Sequence, residues 1–271
     1  MEYFKEKNVN MLFFVPSILV NIANMDILKS CKPAFNKILF AGEVMPTKQL
    51  NYWIKHYPNA LFSNLYGPTE ITVDCTYYTI DRKFADDEPL PIGKKCRNSD
   101  VLILDENNKL ITEPNCAGEL CVRGSSLALG YYNDLEKTEN AFTQNPLNNH
   151  YPEKIYRTGD MVYYNNKMEI IFQGRKDFQI KHMGYRIELG EIETALGTIK
   201  DLENVCVVYD SKNSKIVLFY EAKNEISNKD LILAIGNTLP KYMFPNELRK
   251  IDKLPINANG KIDRLKLKNS L

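Results

Sequence analysis

The chain has 271 residues, 44% hydrophobic and 25% charged, and its 35 Lys and Arg offset 34 Asp and Glu for a net charge of +1. That composition is ordinary for a folded protein of about two domains, and the even balance argues against a dedicated nucleic-acid binder, which would carry a basic excess. Met11–Val20, the longest apolar stretch, is broken by Pro16 and Ser17, short of the roughly 18 residues that a membrane span needs, and the polar first ten residues are no signal peptide, so a cytoplasmic protein is expected.

In chain order, Asn10–Val15 reads as a buried strand, and Pro16 starts a helix to about Ala23. Lys37–Phe40 is a short strand ending at Ala41–Gly42–Glu43. Thr47 is a candidate N-cap for a helix over Lys48–Tyr57, where Leu50, Trp53, Ile54 and Tyr57 recur at helical spacing. Ala60–Asn64 is another strand. Strand–helix–strand alternation marks a sheet covered by helices. After Thr72 the texture becomes β-rich, with short strands at Val73–Ile80, Val101–Asp105, Glu119–Arg123, Asp160–Tyr164 and Met168–Gln173.

After Gly174 it changes again. Gln179–His182 and Tyr185–Glu188 flank a tight turn at Met183–Gly184, and Gly190–Leu196 is a helix. Asn204–Tyr209 and Ile216–Glu221 form a hairpin, and Ser227 or Asn228 caps a helix over Lys229–Leu239. The remainder reads as a basic, solvated tail. A domain boundary falls near Asp177, giving domains 1–176 and 177–271. Six cysteines without a CxxC, and three scattered histidines, predict buried free thiols and neither a zinc site nor a histidine triad.

Several loops place polar groups on tight turns. Tyr66-Gly67-Pro68-Thr69-Glu70 leaves a strand and offers a hydroxyl beside a carboxylate, hard oxygens suited to a Mg²⁺-bound phosphate. In Tyr156-Arg157-Thr158-Gly159-Asp160 an acid follows a glycine turn, where it can accept from both hydroxyls of a ribose. Lys261 stands in a Gly/Asn-rich loop, Leu254–Lys261, and could meet anionic oxygens.

Taken together and in order, these segments carry a resemblance. LFAGEVM at 39–45, NLYGPTE at 64–70, GELCVRGSSLALGYYN at 118–133, YRTGD at 156–160, GRKDFQIKHMGYRIELGEIE at 174–193 and LPINANGKIDR at 254–264 resemble the carboxyl-terminal half of the adenylate-forming ligases. That superfamily holds amino-acid adenylation domains, acyl-CoA synthetases and luciferases. The wording is similar to amino-acid activating members, and FAGEVMP to D-alanine–carrier protein ligases.

The resemblance implies an α/β (α+β) fold, with the carboxyl-terminal part of a large AMP-binding domain followed by a small mobile domain. It implies ATP-dependent formation of an aminoacyl-adenylate, then transfer to the phosphopantetheine thiol of a carrier protein. By the same resemblance Tyr66 stacks on adenine, with Asn64 and Gly42 at its edge. Thr69 touches phosphate and Glu70 holds Mg²⁺. Asp160 and Arg175 bind the ribose, Asp177 is the hinge, Lys261 is the catalytic lysine and Gly184 lines the thiol channel. Phe13, Leu39, Ala41, Leu65, Val73 and Asp74 line the amino-acid pocket. Five of these are apolar, and Phe13 and Leu65 are large enough to narrow the cavity, so a small substrate such as alanine or serine is expected; Asp74 either turns to solvent by strand alternation or meets a cationic or hydroxyl group on the substrate.

The sequence departs from the family in one respect: no Gly-rich phosphate loop with its lysine precedes residue 39. About half a ligase is therefore expected, possessing exposed apolar surface and needing an amino-terminal half. The alternatives are a non-catalytic nucleotide or carrier-protein binding module of the same fold, or an acyl-CoA ligase.

Overall fold

A computed structural model describes residues 1–271 apart from 177, 198, 200, 201, 224, 237 and 258–261. The fold is mixed α/β, and it divides into two compact units, Met1–Asp177 and Phe178–Leu271.

In the first unit, α1 (Glu2–Glu6), β1 (Met11–Phe14), α2 (Pro16–Asn24), β2 (Lys37–Ala41), α3 (Thr47–His56) and β3 (Leu61–Tyr66) alternate helix and strand. The three strands pair in parallel, as helical crossovers require. Leu12, Ile38, Phe40 and Phe62 bury one face of them in a cluster with Leu19 of α2 and Leu50 and Trp53 of α3. The Trp53 ring is fully buried and its Nε1–H donates to the Leu19 carbonyl at 2.9 Å. Trp53→Ala is expected to lower the unfolding free energy by about 3–5 kcal/mol, read from urea midpoints.

The opposite face of the same strands is open. Met11, Lys37 and Leu61 are in register, as are Phe13 and Leu39, and Phe13 and Leu61 are 49% and 43% exposed. Parallel strands are usually covered on both faces; this face supplies the exposed apolar surface that the sequence predicts.

The sheet continues antiparallel through β4 (Thr76–Thr79), β5 (Pro91–Lys95), β6 (Ser99–Leu104), β7 (Ala117–Gly124), β8 (Phe142–Gln144), β9 (Lys154–Tyr164) and β10 (Ile170–Arg175), with α4 (Leu135–Ala141) before β8. Its spatial order is β1-β2-β3-β4-β5-β10-β9-β7-β6, with β8 added to β9. Three expectations are corrected. The strand predicted from Val73 begins at Thr76, because Thr72 and Val73 adopt φ of 60° and 80°, a left-handed backbone that interrupts a strand at β-branched residues. Strand β9 starts at Lys154 rather than Asp160, passing through a bulge. Thr47 is the first helical residue of α3 rather than its cap, and its hydroxyl bonds the Glu88 carbonyl.

The second unit holds β11 (Gln179–His182), β12 (Tyr185–Glu188), α5 (Leu189–Leu196), β13 (Asn204–Asp210), β14 (Lys215–Glu221), α6 (Asn228–Ile235), β15 (Glu247–Lys250) and α7 (Arg264–Asn269). Strands β11 and β12 pair alone, while β13, β14 and β15 form a second sheet. Ser227 caps α6, accepting the Asp230 N–H at 3.2 Å. The helix stops at Ile235, short of the predicted Leu239, because Gly236 takes the C-cap. The basic tail is not merely a solvated face: β15 pairs with β14, and Leu267 of α7 is buried with Cys206, Val208, Val217 and Phe219. Cys75, Cys121 and Cys206 are buried free thiols. No described helix is long and apolar enough to cross a membrane.

Candidate active site

The site begins at a bulge. The β7–β9 register shifts between Glu119 and Cys121, so Leu120 faces three residues, Thr158, Gly159 and Asp160. Gly159 has φ +71°, a conformation that glycine adopts at little cost. The Thr158 hydroxyl donates to the Leu120 carbonyl at 2.6 Å and accepts the Asp160 N–H at 3.0 Å. The Asp160 side chain is thereby aimed at β10 and β3. It is 3% exposed. Arg175, its register partner on β10, donates from Nη1 to Oδ1 at 2.8 Å, and the Tyr66 hydroxyl donates to Oδ2. Burial, then the Asp160 charge, pushes the Tyr66 phenol well above its ordinary pKa, so it stays a donor.

Three predicted nucleotide residues, Tyr66, Asp160 and Arg175, are therefore in one hydrogen-bonded cluster. Asn64, on the same face of β3 as Tyr66, is 7% exposed and donates from Nδ2 to the Pro91 carbonyl at 2.8 Å. The Tyr66 ring is 6% exposed, with the Phe172 ring 6.5 Å away. Stacking on adenine would require this buried ring to be uncovered. Gly42, at φ +96°, follows β2, and the next residue, Glu43, accepts the Ser17 N–H at 2.8 Å, tying that loop to the start of α2.

The loop after Tyr66 is tightly constrained. A Cβ on Gly67 would lie 2.4 Å from the Val73 carbonyl oxygen, so only glycine fits there. Thr69 is exposed at the head of a 3-10 turn, Thr69–Ile71, and Glu70 is buried in it. The Tyr131 hydroxyl donates to Glu70 Oε1 at 2.6 Å, and the Ala128 N–H donates to the Glu70 carbonyl at 2.8 Å. Burial, then the Glu70 hydrogen bond, raises the Tyr131 phenol pKa. Thr72 and Val73, both β-branched, hold the left-handed conformation just beyond, a local strain of the kind found at binding loops. The described residues contain no group of three acidic, His or Cys ligands. Glu70 with the neighbouring Thr69 hydroxyl nonetheless fits Mg²⁺, which takes one or two carboxylates and completes its shell with water and substrate phosphates.

The pocket residues divide. Phe13 pairs with Leu39, and Ala41 with Leu65, so these four share one face of β1–β3. Val73, 59% exposed, is left-handed beyond β3, and Asp74 follows it before β4 begins at Thr76. Strand alternation cannot govern Asp74, because no strand runs through it; the Asp74 N–H donates to the Thr72 carbonyl at 3.3 Å. In the second unit, Met183 and Gly184 occupy the β11–β12 turn with φ of 52° and 82°, as a tight two-residue hairpin demands. Tyr185 beside them stacks on Tyr242 at 3.8 Å. Asp177 and Lys261 lie outside the described residues.

Two residues that the sequence reading did not single out take part. Tyr131 holds Glu70, and Glu119 lies beneath the Asp160 bulge. Each stands within a resembling segment, but its partner is 61 or 40 residues away in sequence.

The profile of the AMP-binding enzyme family matches residues 1–132, and that of the AMP-binding enzyme C-terminal domain matches residues 191–261. Bacitracin synthase 1 of Bacillus licheniformis is 38% identical over 263 residues, which cover 96% of this chain and 5% of the synthase. Among solved structures, holo-PA1221, an NRPS protein containing adenylation and PCP domains, superposes with a TM-score of 0.84 at 26% identity, covering 100% of this chain and 46% of that one. The Vibrio cholerae adenylation domain AlmE, in complex with glycyl-adenosine-5'-phosphate, gives 0.83 at 25% identity, covering 99% of this chain and 51% of that one. The chain thus spans about half the length of these solved relatives and a small part of the synthase. Two successive family profiles, matched in order along a fold shared with solved adenylation domains, place the chain in the family of AMP-binding, adenylate-forming enzymes.

Proposed function

We propose that the chain carries the nucleotide-binding and thiol-accepting portion of a ligase that activates an amino-acid carboxylate as its adenylate and passes it to a carrier-protein phosphopantetheine. The observation that carries this reading is the buried Asp160 carboxylate, held between Arg175 and Tyr66 at a glycine bulge. Its two oxygens can accept from two vicinal hydroxyls, which a ribose offers. AlmE with its glycyl-adenosine-5'-phosphate and holo-PA1221 with its PCP domain support the adenylate and carrier parts.

In this reading Asp160 and Arg175 orient the ribose, and Asn64 and Gly42 border the base. Glu70, steadied by Tyr131, would hold Mg²⁺ with Thr69 beside it. Bound there, Mg²⁺ would neutralise phosphate charge as the carboxylate approaches the α-phosphorus. Phe13, Leu39, Ala41 and Leu65 leave room for a small side chain such as that of alanine or serine, with Val73 and Asp74 at the margin. Asp177 is the proposed hinge between domains 1–176 and 177–271. The Gly184 turn would admit the thiol, which displaces AMP and leaves a thioester.

Calorimetry on this chain tests the nucleotide half of the reading. The groups just named contact base and ribose, so AMP should bind at least as tightly as Mg-ATP. Failure of both nucleotides to bind would overturn it. Binding without ATP–pyrophosphate exchange, once the remaining half of a ligase is supplied, would instead favour a non-catalytic binding module.

A further inference from the structure

Glu119 is 5% exposed, on β7 where the strand pairing with β9 slips. Its carboxylate meets three donors from two segments. Oε1 accepts the Gly159 N–H at 3.1 Å, inside the bulge. Oε2 accepts Arg157 Nη1 at 2.9 Å and Lys176 Nζ at 3.2 Å. The Lys176 N–H also donates to the Gly159 carbonyl at 2.8 Å. Both amide faces of the turn are therefore engaged, one by Glu119 and one by the residue that follows Arg175. A buried carboxylate is stable only with such charged and hydrogen-bonded partners, and here all of them flank the two ribose candidates.

We infer that Glu119 is the positioning residue of the ribose site: it locks the Gly159 turn and the Arg175–Lys176 segment together, so that Asp160 presents its oxygens in a fixed direction. The inference rests on the reading that Asp160 binds ribose. Glu119 itself does not touch the nucleotide.

The test compares AMP with 2',3'-dideoxy-AMP by calorimetry on the full chain. Charge-assisted hydrogen bonds from the two hydroxyls should make wild type bind AMP about tenfold more tightly than the dideoxy analogue. Glu119→Ala should reduce that ratio to about twofold, with the dideoxy affinity within about twofold of wild type, because only the hydroxyl contacts lose their geometry. Glu119→Gln keeps an acceptor for the Gly159 N–H but loses the charge on Arg157 and Lys176. It should give a ratio of about fourfold, between the two, and it carries the test if the alanine variant does not fold. A role in stability alone would weaken both nucleotides together and leave the ratio at its wild-type value, which would overturn the inference. A wild type that does not distinguish the two nucleotides would instead overturn the ribose reading of Asp160 itself.

Discussion

Asp160→Ala should both unfold the first unit more easily and weaken AMP binding by about tenfold, the value of the two ribose hydroxyls that the carboxylate accepts. The side chains of Asp160 and Arg175 are 4% and 12% exposed, so removing the carboxylate leaves a guanidinium with little access to water. The Tyr66 hydroxyl, with its ring 6% exposed, loses its acceptor at the same time. Removing one member of a buried ion pair typically costs about 3–5 kcal/mol. Urea unfolding followed by circular dichroism would read the loss. Asp160→Asn keeps the shape and an acceptor for Tyr66, so its stability should fall less while AMP affinity still falls. If both variants bound AMP as wild type does, the cluster would be a structural ion pair and nothing more.

The strands and the two longer helices of residues 10–66 were legible because apolar spacing there follows helix and strand periods, whereas the short polar α1 was not. Trp53 and Leu50 sit where that spacing places them, buried against α2. Strand β5 was not legible. It opens with Pro91, turns through Gly93 at φ +84° and ends on two lysines, none of which is strand chemistry. A Cβ on Gly93 would come 2.0 Å from the Tyr77 carbonyl oxygen, so the glycine marks a close approach of β4 rather than a break in structure. The closing segment failed for a different reason. Its lysines suggested a solvated face, but Leu254 and Leu267 between them are core residues of the second sheet.

For the candidate site, the residue types were legible and the contacts were not. Tyr66 and Asp160 are 94 positions apart, and Glu70 and Tyr131 are 61 apart. No periodicity spans such distances; the pairs meet only through tertiary contacts between segments far apart along the chain. Asp74 shows the converse error. Alternation was extended through Val73 although two consecutive β-branched residues there turn left-handed, a conformation that local propensity disfavours and that surrounding structure must enforce.

Lys261→Ala should separate the two proposed half-reactions. The residue lies outside the described residues, but the chain on either side is pinned: Ile256 and Ile262 form an antiparallel bridge, and the Asp263 N–H donates to the Pro255 carbonyl at 2.7 Å. In adenylation both the attacking carboxylate and the departing pyrophosphate are anionic, so a fixed cation is of most use there. In thioester formation the leaving group is AMP and the acid is already activated, so the same cation has less to do. In a ligase containing this chain, Lys261→Ala should slow adenylate formation by about 10²–10³-fold, about 2.7–4 kcal/mol, the scale of one preorganised charge-stabilising group. Transfer from a supplied aminoacyl-adenylate to a carrier thiol should stay within about threefold of wild type, because interactions made only in the first transition state do not enter the second. ATP–pyrophosphate exchange and single-turnover thioester formation measure the two separately. Equal damage to both would remove Lys261 from the adenylation step and assign it to substrate binding common to both reactions.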